Sequence, residues 1–128
     1  MIKKVLVIDD SASVRATLQE GLTQAGMTVT AVENGKLALD WIKSNPVDLI
    51  ICDLNMPVMN GFHVLGFLKS NKATKDIPII ISSTESDENL IKKLKKAGCE
   101  LFLIKPIDIG ILLSAIKIFD KHQAPVAK

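Results

Sequence analysis

The sequence lacks several features that would place it in a particular class of protein. No apolar run approaches the roughly 18 to 20 residues of a membrane-spanning helix, and the run near the start ends at two aspartates. We therefore expect no secretory signal and no membrane insertion, and we predict a cytoplasmic location. The two cysteines, Cys52 and Cys99, form no CxxC pair. They are predicted to be free thiols in a reducing compartment.

The net charge is also small. The 128 residues include 16 basic and 14 acidic side chains, a formal charge of +2. Such a balance is too weak for non-specific nucleic-acid binding, so we expect no direct nucleic-acid partner. Hydrophobic residues make up 48% of the chain and charged residues 23%, which is a globular composition. The length predicts one domain over residues 1–121, followed by a tail over residues 122–128.

Short apolar runs rich in β-branched residues alternate with segments of helical period. The runs are KVLVID, MTVTAV, DLIICD, IPIII and ELFLIK, at residues 4–9, 27–32, 48–53, 77–81 and 100–105. Because they are continuously apolar, we predict parallel strands that are buried on both faces. One helical stripe is predicted from Leu37, Trp41 and Ile42. The whole pattern predicts an α/β protein with a doubly wound, five-stranded parallel sheet and five helices.

Glycines mark two of the predicted turns. Gly26 and Gly98 each follow the last periodic residue of a helix. A left-handed residue commonly ends a helix there, and glycine adopts this conformation without a Cβ clash. We therefore expect both glycines to set turns that lead from a helix into a strand.

Polar side chains follow four of the predicted strands. Asp9 and Asp10 follow the first strand, Asp53 the third, the hydroxyls of 82–84 the fourth and Lys105 the fifth. The carboxyl ends of parallel strands meet at one edge of the sheet, where ligands bind. Three converging carboxylates repel one another unless a hard cation relieves the repulsion. Oxygen-only ligands favour Mg²⁺ or Mn²⁺, so we predict such a site, at which phosphoryl oxygens bind.

Two other kinds of protein place a ligand at this edge. A flavodoxin-like cofactor domain needs backbone donors for the flavin phosphate, whereas DDSAS at residues 9–13 places two carboxylates there. A phosphatase of the haloacid dehalogenase type has a DxD pattern, but Asp53 is followed by Leu54 and Asn55. A small Mg²⁺-dependent phosphohydrolase stays open as an alternative, although no cap segment that could build its substrate pocket is evident.

Taken in order, these motifs resemble one family. The segments VLVIDDS, IICDLNMPVMNG, IPIIISST and FLIKP are similar to the receiver domains of two-component response regulators, over about residues 4–120. Each motif alone is weak, but their order along the strand ends is specific. The resemblance implies a flavodoxin-like (βα)5 fold with strand order 2-1-3-4-5, and we expect a stand-alone, CheY-like receiver.

The resemblance also implies a role for each residue of the site. Asp53 would accept a phosphoryl group from a sensor histidine kinase or a phosphotransfer protein. Asp10 and Asp53 would bind Mg²⁺ through their carboxylates, Asn55 through its backbone carbonyl and Asp9 through a water molecule. Lys105 would stabilise the negative charge that develops on the phosphoryl group.

Further residues would carry the switch. Ser83 would turn inward to bind the phosphoryl group, and Phe102 would follow into the space that Ser83 leaves. This change would alter the face formed by helix four, strand five and helix five, which a downstream effector protein reads. Pro57 and Gly61 would shape the loop after the acceptor, and Pro106 would follow a cis peptide bond.

Three positions near the acceptor would tune the lifetime of the phosphoryl group. Asn55 and Glu85 resemble the pair in the chemotaxis regulator CheY, which predicts dephosphorylation in seconds to minutes. Thr84 stands where the family usually has a small residue, and it would narrow access to Asp53.

The expected output is a protein partner in chemotaxis or motility. An intermediate in a phosphorelay and a receiver fragment of a larger regulator stay open as alternatives. We expect self-phosphorylation and autodephosphorylation without turnover of a separate substrate. We also expect a monomer, with phosphorylation-dependent dimerisation left open.

Overall fold

The structure is a computed structural model that describes residues 1–123, with side chains described through residue 120. The strands are β1 (Lys4–Ile8), β2 (Thr28–Val32), β3 (Leu49–Asp53), β4 (Ile79–Ser83) and β5 (Leu101–Ile104). The helices are α1 (Ala12–Gln24), α2 (Gly35–Ile42), α3 (Gly61–Lys69), α4 (Glu88–Lys96) and α5 (Ile109–Gln123). Of the predicted tail over 122–128, residues 124–128 lie outside the described residues, and the domain boundary stays a prediction.

The strands form one parallel sheet in the order β2-β1-β3-β4-β5, which confirms the predicted fold. The central strands β3 and β4 are buried at every position. In the register of the sheet, Asp53 lies beside Ser82, and Ser83 lies beside Ile104. The sheet therefore brings the polar ends of its strands to a single edge.

Helices cover both faces of the sheet. On one face, α2, α3 and α4 pack their apolar side chains against the sheet, and on the other face α1 and α5 do so. Fully burying an Ile or Leu side chain contributes about 1.5–3 kcal/mol before the cost of ordering it. These two cores hold the strand ends in a fixed geometry, on which the site at the edge depends.

The ends of the helices follow from local hydrogen bonding. Asn34 and Asn60 accept backbone N–H groups at the starts of α2 and α3 through their side-chain oxygens. Gly26 and Gly98 have φ values of 96° and 111°, which confirms the left-handed turns predicted after α1 and α4.

Two predictions of local structure are wrong. Leu37 is 45% exposed, because the buried face of α2 runs through Ala38 and Leu39 instead. The fourth strand also begins and ends two residues later than predicted, so Ser83 lies inside β4. Strand pairing with β3 and β5 outweighs the weak strand preference of serine at these positions.

The two cysteines are free and buried, as predicted. Burial is the main cause that raises the pKa of the Cys52 thiol, and the neighbouring charge of Asp53 raises this pKa further. A neutral, buried thiol at this position packs in the core. Over residues 1–123, no helix has the length and apolar character required to cross a membrane.

Candidate functional site

Three carboxylates meet at the carboxyl edge of the sheet. Asp9 and Asp10 follow β1, and Asp53 ends β3. Each contributes a carboxylate oxygen to a group in which these atoms lie within 4.8 Å of one another. Asp9 and Asp53 are buried, whereas Asp10 is exposed to solvent. The predicted convergence of the three acids is therefore present in the fold.

Lys105 reaches into this group from the end of β5. Its Nζ lies 2.9 Å from Oδ2 of Asp9 and 3.1 Å from Oδ1 of Asp53. The backbone N–H of Lys105 donates to the carbonyl of Ser83, which fixes the residue beside β4. The following bond, to Pro106, is cis as predicted. One ammonium group thus bridges the two buried carboxylates.

The charges at this edge are only partly balanced. Burial is the main cause that raises the pKa of Asp53 to about 6, and the charge of Asp9 adds to the rise, while Lys105 opposes it. Burial alone lowers the pKa of Lys105, but its hydrogen bonds to Asp9 and Asp53 outweigh this effect and raise it. The site therefore holds a firmly protonated ammonium beside a carboxyl group that ionises reluctantly.

Hydrogen bonds to three other residues fix the position of Asp9 at the end of β1. The N–H of Asp9 donates to the carbonyl of Val32, and Oδ1 of Asp9 accepts the N–H of Ser11. Arg15 on α1 donates from Nη1 to the carbonyl of Asp9 at 2.7 Å. Arg15 was not among the residues predicted to form the site, although an arginine one turn into the helix after an acidic pair is a visible signal.

The loop between β3 and α3 contains a strained residue. The N–H of Met59 donates to the carbonyl of Pro57 at 2.8 Å, which closes a γ-turn around Val58. Val58 has φ of 74°, a region that β-branched residues rarely adopt. Gly61 then passes so close to the end of β3 that a Cβ atom there would lie 2.9 Å from the carbonyl oxygen of Asp53. This close approach explains why residue 61, at the start of α3, is a glycine.

A second group of polar side chains lies beside the acids. Ser83 is buried, and its Oγ accepts the backbone N–H of Glu85 at 3.0 Å and Nδ2 of Asn55 at 3.3 Å. The same amide nitrogen of Asn55 donates to Oε1 of Glu85 at 3.2 Å. Thr84, which lies between Ser83 and Glu85 in the chain, is exposed. The fold therefore brings Ser83 together with Asn55 and Glu85, two of the three residues predicted to tune the lifetime.

Phe102 lies on β5, the strand next to β4, but two residues before the position that is in register with Ser83. It is half-buried on β5, in register with Ile81, and it packs against the core below α2, α3 and α4. Its predicted movement with Ser83 stays a prediction.

The donor set fits a hard divalent cation. The three acids offer only oxygen ligands, and such ligands favour Mg²⁺, Mn²⁺ or Ca²⁺ over zinc or copper. Asp10 is exposed and free to bind from the solvent side, whereas Oδ2 of Asp9 already pairs with Lys105. This acidic pocket can bind a metal.

Comparison with known proteins identifies the family. Residues 5–117 match the model of the response regulator receiver domain. The chain is 38% identical over 116 residues to the two-component response regulator ORR5 of Oryza sativa, which covers 88% of this chain and 87% of that protein. It is 32% identical over 115 residues to a probable chemotaxis protein CheY of Rhizobium etli, covering 89% of each.

A solved structure agrees with these relatives. The chemotaxis protein CheY4 of Vibrio cholerae superposes with a TM-score of 0.86 at 32% identity, over 92% of this chain and 98% of that one. The chain therefore belongs to the response regulator receiver domain family of two-component systems, and it is a CheY-like member. Receiver domains are signalling switches that interact with histidine kinases and effector proteins.

Proposed function

We propose that this receiver accepts a phosphoryl group on Asp53. The observation that carries the proposal is the position of Lys105, whose Nζ contacts both Asp9 and Asp53 at the carboxyl edge of the sheet. A fixed ammonium beside the attacking oxygen stabilises negative charge that develops during transfer. With a pKa of about 6, Asp53 is still mostly ionised at neutral pH and can act as a nucleophile.

The transfer exchanges one bond for another. A carboxylate oxygen of Asp53 attacks the phosphorus of a phosphohistidine on a histidine kinase or a phosphotransfer protein. The N–P bond breaks, an O–P bond forms, and the leaving imidazole takes up a proton. Lys105 then pairs with the phosphoryl oxygens instead of with the carboxylate that has become an acyl phosphate.

Mg²⁺ or Mn²⁺, when bound, would supply positive charge for the phosphoryl oxygens. Asp10 and Asp53 would hold it through carboxylates, Asn55 through its backbone carbonyl and Asp9 through a water molecule. The hydrogen bonds of Asp9 support this indirect role, because one of its oxygens pairs with Lys105 and the other accepts the N–H of Ser11.

A cleft next to Lys105 supports a protein as the phosphoryl donor. It has a volume of about 370 Å³ and lies between the start of α1 and the loop before α5. Its lining is mostly apolar and includes Val14, Leu18 and Ile107. Apolar side chains of a donor protein can be buried there while its histidine reaches Asp53.

We propose chemotaxis or motility as the output, on the support of the relatives from Rhizobium etli and Vibrio cholerae that are named for chemotaxis. A phosphorelay intermediate and a receiver fragment of a larger regulator are the alternatives. The effector would read the face formed by α4, β5 and α5 after Ser83 and Phe102 move. Asn55, Glu85 and Thr84 would set the lifetime, and the predicted cytoplasmic location, monomeric state and lack of substrate turnover stay predictions.

The direct test is phosphorylation of the purified chain by acetyl phosphate, followed by intact mass. We expect a Mg²⁺-dependent gain of one phosphoryl group that decays over minutes. Asp53→Asn should abolish the gain, whereas the control Asp40→Asn, on an exposed position of α2, should leave it unchanged. A stable protein that gains no phosphoryl group with any small phosphodonor would contradict the proposal.

The rival function is a small phosphohydrolase, which would turn over phosphate esters. Incubation with p-nitrophenyl phosphate distinguishes the two. We expect at most one phosphoryl group per chain and release of product no faster than the decay of that group. Turnover that depends on Asp53 and is much faster than this decay would favour the hydrolase.

A further inference from the structure

Asn55, Ser83 and Glu85 form a closed set of hydrogen bonds beside the acids. Ser83 Oγ accepts Nδ2 of Asn55 and the N–H of Glu85, and Nδ2 of Asn55 also donates to Oε1 of Glu85. Ser83 lies on β4 and is 1% exposed, whereas Asn55 and Glu85 lie on exposed loops that follow β3 and β4. A buried hydroxyl on a rigid strand is thus held by groups from two loops.

These contacts favour one orientation of the Ser83 side chain. Among the described residues, Ser83 Oγ has no hydrogen bond to Asp53 or Lys105. A change between staggered χ1 rotamers moves a serine oxygen by about 2 Å, which breaks hydrogen bonds that are already near 3 Å long. The inward turn that the proposed function requires therefore has to break the contact with Asn55.

We propose that Asn55, together with Glu85, is a latch that holds Ser83 in its resting rotamer and so limits how readily the receiver switches. Asn55 is in this sense a positioning residue that acts through Ser83. The inference rests on the proposed function, because only a Ser83 that has to turn can be latched. The latch is separate from the proposed effect of Asn55 on the lifetime of the phosphoryl group, because it concerns the conformation of Ser83 before any phosphoryl group is present.

The first measurement concerns the resting protein without Mg²⁺. Three-bond NMR couplings of Ser83 between Hα and Hβ, and between N and Hβ, report its χ1 populations. We expect a single rotamer in the unaltered chain and averaged couplings in Asn55→Ala. Glu85→Gln keeps an oxygen that can accept from Asn55 and the backbone N–H of residue 85, so it should keep the single rotamer.

The second measurement is the affinity for beryllofluoride, an analogue of the phosphoryl group, in the presence of Mg²⁺. Losing a hydrogen bond that opposes switching should tighten binding by Asn55→Ala about three-fold to ten-fold. The same substitution in a Ser83→Ala background should change the dissociation constant by less than about two-fold, because the latched group is absent. The control Asp40→Asn, at an exposed position of α2, should bind like the unaltered chain.

Each outcome decides one claim. A single Ser83 rotamer in Asn55→Ala, or beryllofluoride binding that is no tighter than in the unaltered chain, overturns the latch. An equal gain in affinity in both backgrounds also overturns it, because Asn55 would then act independently of Ser83. If neither acetyl phosphate nor beryllofluoride modifies the unaltered chain, the proposed function fails, and the couplings of Ser83 in the resting protein still decide whether Asn55 restrains this hydroxyl.

Discussion

The two edges of the sheet use the same chemical groups in opposite ways. At the amino edge, Asp48 accepts the N–H groups of Lys3 and Lys4, and Glu100 accepts the N–H of Ile79 and pairs with Lys69 at 2.9 Å. Each carboxylate there has its own donors. At the carboxyl edge, three carboxylates crowd around one ammonium, that of Lys105.

The backbone follows the same division. At the amino edge, Gly26 has a positive φ where a helix turns into a strand, and glycine adopts it without strain. At the carboxyl edge, a positive φ falls on Val58, a β-branched residue that is 79% exposed. One edge therefore stabilises the fold, whereas the other holds unfavourable charge and strain next to Asp53, the proposed acceptor. The crowded negative charge at the carboxyl edge is what a bound divalent cation would relieve.

Removing the ammonium group of Lys105 should cause the largest change in stability at either edge. Lys105→Met leaves two buried carboxylates without a partner, so the free energy of unfolding at about pH 7.5 should fall by about 3 kcal/mol without metal. Urea denaturation at about pH 7.5 and about pH 5 measures the loss, which should shrink at the lower pH as the carboxylates protonate. The double variant with Asp53→Asn should recover most of the stability. An unchanged free energy of unfolding in Lys105→Met would mean that the ammonium group does not relieve repulsion between the acids.

Neutralising the acceptor should stabilise the metal-free protein. Because the pKa of folded Asp53 lies near 6, above its unfolded value, its ionisation makes folding less favourable as the pH rises from about 4 to about 6. Asp53→Asn should therefore add about 2 kcal/mol at about pH 7.5 and almost nothing at about pH 4.

Chemical denaturation with and without Mg²⁺ provides the control for Asp53→Asn. Bound Mg²⁺ should stabilise the unaltered chain more than the variant and so reduce the difference between them. A variant that is less stable than the unaltered chain at neutral pH would contradict the crowding of charge at this edge.

An Asp-to-Asn substitution at the amino edge should lower the free energy of unfolding instead of raising it. Asp48→Asn replaces two charged hydrogen bonds by neutral ones and should lower the free energy of unfolding by about 1 kcal/mol. The matched control is Asp40→Asn, whose ion pairs are exposed and 3.6 Å long, and we expect a change close to zero there. Phosphorylation by acetyl phosphate should be unchanged in both variants.

Relieving the backbone strain at Val58 should give the smallest effect. Val58→Asn should raise the free energy of unfolding by about 0.5–1 kcal/mol, because asparagine tolerates the left-handed region better than valine. Thermal denaturation would reveal the change. Gly26→Val tests the same strain at the amino edge, where an added Cβ atom would meet no other atom within 4 Å, and it should destabilise the chain through its backbone alone. A loss of stability in Val58→Asn, or no loss in Gly26→Val, would contradict the assignment of strain.

The sequence predicted the sheet and the main members of the site because both depend on simple patterns. Continuous apolar runs mark buried parallel strands, and their carboxyl ends share one edge, so Asp53 and Lys105 had to meet. The surface of α2 was less predictable, because Leu37 and its neighbours Ala38 and Leu39 fit more than one helical stripe, and tertiary packing decides among them.

Other features depend on angles and distances that no residue pattern specifies. The hydrogen bond from Arg15 to the carbonyl of Asp9 depends on how a long side chain folds back over its own helix. The γ-turn at Val58 contradicts local preference, and Gly61 lies so close to the end of β3 that a Cβ atom there would clash. The contact between Asn55 and Ser83 joins a loop to a strand end that lies 28 residues further along the chain.

The spread of the site along the chain has a consequence for protein synthesis. Asp9 and Asp53 leave the ribosome well before Lys105, which follows the last strand to be made. Until that strand docks beside β4, the acceptor carboxylate lacks its ammonium partner and the packed walls that position it. A nascent chain that already carries Asp53 therefore lacks the complete site, which forms when β5 has been made and has docked rather than when Asp53 is made.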